Sequence, residues 1–359
     1  MGTENLLGML LWLGELTIAS WALSYGAEHI SKKYGAKFVG RTLLSVATTL
    51  PEIVIVIYAA AAGSYGVALG AGLGSNLLMM TLGLAVMLLI ATTRLSKAPM
   101  KGLDVTAFKL DKIFLVITAV VSVSLFIDGY NYIDGFIFLT MFLAYIGISF
   151  IEMRIEKKKI GNIVRTEKNL VDSKMVEIEE IEGEIEEEQH MTSKGFEKKM
   201  LLKALTIFTA GTIGILLGAE PFIHSLEGFS VEIGVSAIIL AVIISPIAGE
   251  MPEKISMMML ARKGALGASI AIANVLGSKI LNNTLLLAVA VFGAMYHGGF
   301  YASIGLNSLL VYQMILVTVV TIVALIPMIK KEIGLKVGIM LAAMYIISLF
   351  VQFLLPHSV

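Results

Sequence analysis

"IAGEMPEKISMMMLARKGALGASIAIANVLGSKIL", Ile247 to Leu281, holds Glu250, Glu253 and Lys254 around Pro252 in an otherwise apolar region, and Lys279 further on. A second stretch, "VATTLPEIVIVIYAAAAGSYGVALGAGLGSNLL", Val46 to Leu78, lines up with it. Pro51-Glu52 matches Pro252-Glu253, Gly63 matches Gly264, and Gly74-Ser75 matches Gly277-Ser278, with one two-residue offset between. Self-similarity at this scale signals an internal repeat.

The surroundings of both copies are as apolar as the copies themselves. Of 359 residues 57% are hydrophobic and 15% charged, and mean hydropathy is +0.87. A soluble domain of this length needs more charge to cover its surface. Apolar runs of about 20 residues recur, which is the signature of membrane-spanning helices. About ten spans are expected on this pattern, at 5–30, 37–62, 65–92, 112–130, 133–153, 200–223, 232–261, 265–295, 306–329 and 335–355. The start, "MGTENLLGMLLWLGEL", has no basic region or small-residue cleavage site, and is read as the first span rather than a signal peptide. Formal net charge is zero, which supplies no bulk attraction for nucleic acid. Without cysteine, disulfides, thiolate metal sites and Cys nucleophiles are excluded. No GxxxxGK[ST] phosphate loop and no His-x-x-x-His or Glu-x-x-His pair occurs, which argues against ATP-driven transport and zinc-enzyme chemistry.

Lysine and arginine fall on alternate connections. Lys32, Lys33 and Lys37 follow the first span; Arg94, Lys97, Lys101, Lys109 and Lys112 the third; Arg262 and Lys263 the seventh; Lys330, Lys331 and Lys336 the ninth. The long polar segment 154–199, with its core "VEIEEIEGEIEEEQH", is also rich in them and reads as a solvated, partly helical tether. The connections "GSYG", "DGYNYID", "EPFIHSLEGFSVE" and "MYHGGFYAS" carry none. The positive-inside rule therefore puts both termini outside the cell membrane and 154–199 in the cytoplasm. The expected organisation is a first repeat, 1–153 (motif 40–80), the acidic loop 154–199, and a second repeat, 200–359 (motif 245–283). Five spans per half is odd, so the halves have inverted topology. That is an all-α secondary-transporter architecture with its site at the midplane, between the repeats.

The doubled residues suit that place chemically. Pro51 and Pro252 lack the N–H that would bond the carbonyls of Ala47 and Ala248. Those oxygens either ligate a cation or are satisfied across a simple kink eased by Ser45, Thr48 or Thr49. A bare carboxylate at a span's centre costs roughly 2.5–3.5 kcal/mol on insertion scales. Glu52 and Glu253 therefore read as a functional pair, and facing carboxylates with carbonyl and hydroxyl oxygens make the hard, oxygen-rich cage that calcium takes. The competing reading is a pair of protonated, mutually hydrogen-bonded acids. Ser75 and Ser278 lie in glycine-rich runs, where small residues also serve close helix packing. Met79 and Asn282 follow four residues later on the same faces.

The segments "GRTLLSVATTLPEI…GLGSNLL" and "AGEMPEK…IANVLGSKILN" resemble the alpha-repeats of the calcium/cation antiporter superfamily, home of the sodium/calcium exchangers. The likeness covers nearly the whole chain. It implies exchange of calcium for sodium or protons by alternating access, with no dissociable cofactor and no enzyme activity; a divalent channel or uniporter on the same fold is the alternative. The implied ligands are Glu52 and Glu253, the carbonyls of Ala47, Thr48, Ala248 and Gly249, and Thr49, Ser75, Ser278 and Asn282, with Glu250 beside them. Inorganic cations and the lipid bilayer are the implied partners. Spans one and six would slide against the rest.

This chain departs from the superfamily at several of these positions. Where its members place Thr-Ser before Leu-Pro-Glu, the second copy has Gly249-Glu250; the first copy ends its GSNxxN pattern in Met79; and Lys279 stands where the first copy keeps Asn76. A buried lysine needs an anionic partner. Glu250, the extra acid of the same repeat, is the candidate, and Lys279 would then stand where a sodium ion would otherwise bind. Lys254 is expected either to pair with Glu250 one turn away or to extend towards the cytoplasmic end of its span. Glu15, Glu28 and Glu220 are read as structural, pairing locally or facing water.

Overall fold

The computed structural model of the chain describes residues 4–34, 45–171 and 198–354. The start of the expected second span (37–44), most of the acidic loop and the last residues of the chain lie outside them. Apolar runs form helices throughout, because a backbone with no water to bond must satisfy its own N–H and C=O groups. In chain order they are α1 (Glu4–Tyr34), α2 (Ser45–Ala61), α3 (Tyr65–Leu78), α4 (Leu84–Thr92), α5 (Lys109–Leu125) and α6 (Tyr132–Val171). The second half has α7 (Lys198–Ile233), α8 (Ala237–Gly249), α9 (Met251–Ala261), α10 (Ala265–Leu281), α11 (Leu287–Gly298), α12 (Ser308–Leu325) and α13 (Leu335–Leu354).

Eight helical stretches among the described residues are long and apolar enough to cross a membrane. The expected second and seventh spans appear as shorter apolar helices, Thr49–Ala61 and Ala237–Gly249. The seventh is broken rather than continuous over 232–261. Glu250 sits at the break in the sparsely populated bridge region (φ −88°, ψ −5°), and α9 restarts with Pro252 in its first turn, where a missing N–H costs nothing. The fifth span, Tyr132–Glu152, matches the expected 133–153, and its helix α6 runs on to Val171; the sixth extends beyond its expected end, to Ile233, through Pro221.

The two repeats share details that the sequence alignment does not contain. Each central span is interrupted by a π-helical turn four residues after its Gly-Ser serine: Met79–Gly83 joins α3 to α4, and Asn282–Leu286 joins α10 to α11. The matched glycines Gly63 and Gly264 both turn with positive φ, 83° and 96°. Inversion shows in the connections. The link after α4 pairs antiparallel with the link after α12 (β1, Leu103–Asp104, against β2, Glu332–Ile333), on the lysine-rich face. On the opposite face the link after α5 pairs with the link after α11 through Tyr130 and Ile304. Exchanging the halves converts one pairing into the other.

Packing is layered around the two π-broken spans. The helices of 65–92 and 267–298 are mostly buried, whereas α6, α7 and α13 are mostly exposed. Their outward side chains, Leu217, Ile346 and Phe350 among them, form an apolar surface suited to lipid. In the interior, α3 packs on α8, α2 on α11, α9 on α4, and α10 on α5. The α3–α8 contact is very close: a Cβ at Gly74 would lie 2.0 Å from the carbonyl oxygen of Val242. That carbonyl is one that Pro246 cannot bond, so the glycine lets α3 approach the point where α8 has lost a hydrogen bond. On the outside, α1 and α7 pack chiefly on each other.

Candidate functional site

Glu52 follows Pro51 on α2 and is buried at 3% exposure. Among the described residues neither of its carboxylate oxygens has a hydrogen-bond partner, although both are shielded from solvent. Its carboxylate rests against the backbone of Gly249, where a Cβ would come within 2.5 Å of Oε1. Gly249 is thus small because a carboxylate occupies its side-chain space. We expect Gly249→Ala to displace Glu52, with helix content unchanged by circular dichroism, and to lower any activity that depends on that carboxylate by about 10–100-fold, the usual cost of disturbing a supporting contact. Wild-type flux in that variant would remove the contact from the mechanism.

The second-repeat acids lie beside it, close enough for Glu250 and Glu253 both to interact electrostatically with Glu52. Glu253, on α9, accepts hydrogen bonds from Asn274 Nδ2 (3.3 Å) and Ser278 Oγ (3.0 Å), both on α10. Glu250, at the helix break, is 1% exposed and forms an ion pair with Lys279, which is completely buried. Ser75 Oγ donates to Glu250 Oε1 and accepts from Lys279 Nζ (2.7 Å) and Asn282 Nδ2 (2.6 Å). A hydroxyl has one proton and two lone pairs. Ser75 has therefore used all three. Beside this cluster Asn76 donates to Asn283 (2.5 Å), which in turn donates to Thr118 on α5 (3.5 Å).

Glu52, Gly249, Glu250, Glu253, Ser75, Ser278, Asn282 and Lys279, named from the sequence, therefore converge from α2, α3, α8, α9 and α10. The pairing of Lys279 with Glu250 is present. Ala248 is buried at the end of α8, and Thr49 is buried on α2. The side chains of Ala47 and Thr48 lie outside the described residues. Ser278 faces Glu253, while its counterpart Ser75 faces Glu250 instead of Glu52, so the repeats are not equivalent at their centre.

One expectation is corrected. Lys254 neither pairs with Glu250 nor extends towards the end of its span; its Nζ reaches back to the carbonyl of Pro246 (3.1 Å). That carbonyl also accepts the N–H of Glu250 (3.1 Å), so the ammonium is a second donor to it. Glu15 is half-buried and has no salt bridge among the described residues. It packs into the space left by Gly214 and Gly218 of α7, with Oε2 shielded and unbonded. Glu220 is exposed, 3.9 Å from His224, and the side chain of Glu28 lies outside the described residues. Asn274 was not anticipated: the first repeat has Ala71 there, so comparing the copies passes over it. Its position four residues before Ser278, on one helical face, is the signal that could have found it.

The comparisons with known proteins agree with this architecture. An uncharacterized membrane protein of Methanocaldococcus jannaschii is 24% identical over 326 residues, covering 90% of each chain. Among solved structures, the H+/Ca2+ exchanger CAX superposes with a TM-score of 0.71 at 18% identity, over 98% of this chain and 82% of that one. The sodium-calcium exchanger NCX_Mj, soaked with 10 mM Na+ and 10 mM Sr2+, superposes with a TM-score of 0.58 at 20% identity, over 98% and 99%. At these identities the solved structures establish the fold. The sodium/calcium exchanger protein family matches residues 5–151 and 203–354, both halves of the inverted repeat. This multi-pass membrane protein belongs to the sodium/calcium exchanger protein family, within the calcium/cation antiporter superfamily.

Proposed function

We propose that the chain is a secondary-active antiporter that exchanges calcium for sodium or protons by alternating access, with Glu52 and Glu253 as the carboxylates that hold the cargo. The observation that carries this reading is the state of Glu52: a buried carboxylate, at the junction of the repeats, with both oxygens unbonded. Such a group is costly unless something positive completes it. Calcium takes about six to eight oxygens. Glu52, Glu253, the hydroxyl of Ser278, the buried Oδ1 of Asn282 and the carbonyls that Pro51 and Pro252 leave unbonded are the oxygens at hand. Thr48 and Thr49, and the carbonyls of Ala47, Ala248 and Gly249, complete the proposed ligand set.

The α1–α7 pair is the moving part in this reading. These two helices pack mainly on each other and lie along the face of the interior spans, so sliding them breaks few contacts within the site. Residues 1–153 and 200–359 act as the two halves, and 154–199 as a tether between them.

Purified protein in liposomes tests the function: uptake of radioactive calcium should require a sodium or proton gradient of opposite direction, each imposed separately. Calcium flux indifferent to both gradients would replace the antiporter with a channel or uniporter. The orientation proposed, in the cell membrane with both termini outside, is tested by cysteine labelling, since the chain has none of its own. A membrane-impermeant maleimide should label Tyr301→Cys, at an 80% exposed position, in intact cells. It should label Lys331→Cys only after permeabilisation. The reverse pattern overturns the orientation.

A further inference from the structure

Among the described residues, the charged side chains acting on the central cluster are Glu52, Glu250, Glu253, Lys254 and Lys279. They fall into two sets. Glu250 has a permanent partner: Lys279 is completely buried, ion-paired to it, and joined to the same Ser75 hydroxyl. Glu52 and Glu253 have no cation within salt-bridge distance among the described residues; Glu253 receives neutral donors and Glu52 receives none. Lys254 is directed to the Pro246 carbonyl, and it too is tethered to the chain. Glu52 and Glu253 are therefore the two carboxylates without an ion-pair partner among the described residues, and they are the ones left to mobile ions.

Inversion makes the position of Lys279 informative. Ser278 and Ser75 are repeat mates, and Ser278 serves the uncompensated acid Glu253. The equivalent place around Ser75 is filled by the ammonium of Lys279 and by Asn282, which use both of its lone pairs. A monovalent cation arriving there would find no free hydroxyl oxygen and a fixed positive charge in contact range.

Resting on the antiporter reading above, we propose that Lys279 is a built-in occupant of one cation position, which makes the exchange electroneutral. One divalent ion moves against two monovalent ions. The charges balance: two positive charges neutralise Glu52 and Glu253 in either loading, and none crosses the membrane net. A third monovalent ion would meet, at Glu250, a carboxylate already ion-paired to Lys279 and a Ser75 hydroxyl with both lone pairs in use. The ammonium cannot leave, so its charge does not travel.

The test is divalent uptake into proteoliposomes, driven by a monovalent gradient, with the membrane potential set by potassium and valinomycin. Moving one net charge through about 100 mV is worth roughly 2.3 kcal/mol, about 50-fold in the accumulation ratio. The accumulation ratio of the wild type should be the same at zero and at about 100 mV of either sign. A wild-type ratio that follows the potential by about 50-fold per 100 mV overturns the proposal while leaving the antiporter intact. Coupled uptake absent at every potential overturns the antiporter reading itself, and the stoichiometry with it. Lys279→Gln should leave Glu250 to recruit a third monovalent ion and acquire the potential dependence that the wild type lacks. Because that single variant strands a buried carboxylate, Lys279→Gln/Glu250→Gln is the companion, neutral at both positions. Its coupled uptake should stay independent of potential, and potential-dependent uptake in the double variant would show that the pair does not set the charge count.

Discussion

Glu52→Gln and Glu253→Gln should each lower divalent exchange by about 100-fold or more, beyond the loss usual for a residue that merely supports a ligand. The amide keeps the shape of the side chain and removes one anionic oxygen from a shell that calcium needs nearly complete. The two substitutions should differ in their effect on stability. Glu52 makes no hydrogen bonds among the described residues, so a neutral amide relieves an uncompensated buried charge, and thermal stability in detergent should rise or stay level. Glu253 accepts from Asn274 and Ser278, and its amide can keep only one oxygen as acceptor, so stability should fall slightly. Wild-type exchange in either variant, at equal incorporation into liposomes, would remove that residue from the cargo site.

The largest effect on stability should come from separating Glu250 and Lys279. Removing one member of a completely buried ion pair costs about 3–5 kcal/mol, mainly because the other charge is left without a partner. Glu250→Ser should therefore reduce folded yield and thermal stability more than the double variant Glu250→Ser/Lys279→Asn, which leaves neither charge behind. A double-mutant cycle should return a coupling near the top of the usual range, about 3 kcal/mol. Additive losses would mean that the two groups are stabilised separately, and the argument for a permanently neutralised Glu250 would fail. Ser75 reports on the same network. It accepts from Lys279 and donates to Glu250, so Ser75→Ala should weaken the pair without stranding either charge.

Most of the architecture was legible because few structures satisfy a chain this apolar. Long apolar runs must become helices in a bilayer, and the alternation of lysine-bearing and lysine-free connections orders them. The doubled Pro-Glu and Gly-Ser motifs, read against five spans per half, led to inverted repeats and to the central acids. Even the partner of Lys279 could be named, since a buried ammonium demands an anion and Glu250 was the extra acid of its repeat. Those inferences share one feature: each follows from a cost that burial imposes on a residue type wherever the helix happens to lie.

What escaped depends on distances between helices. The π turns at Met79–Gly83 and Asn282–Leu286 leave no mark in composition, because a widened turn is a backbone response to neighbouring helices. Lys254 was expected near Glu250 or towards the span's end, yet it reaches back as a second donor to the Pro246 carbonyl, beside a break whose shape no periodicity reveals. Glu15 reads as an ordinary helix acid until Gly214 and Gly218 of α7 are seen to enclose it. Above all, the sequence repeat matches Ser75 with Ser278 and Glu52 with Glu253, yet the two copies pair differently at the centre. Packing of α3 against α8 directs Ser75 to Glu250, and Glu52 rests against the backbone of Gly249 without a hydrogen-bond partner among the described residues. Residue types specify which charges must be compensated; the approach of helices to within a few ångströms specifies which partner does so, because hydrogen bonds and ion pairs at this depth act only over contact distances.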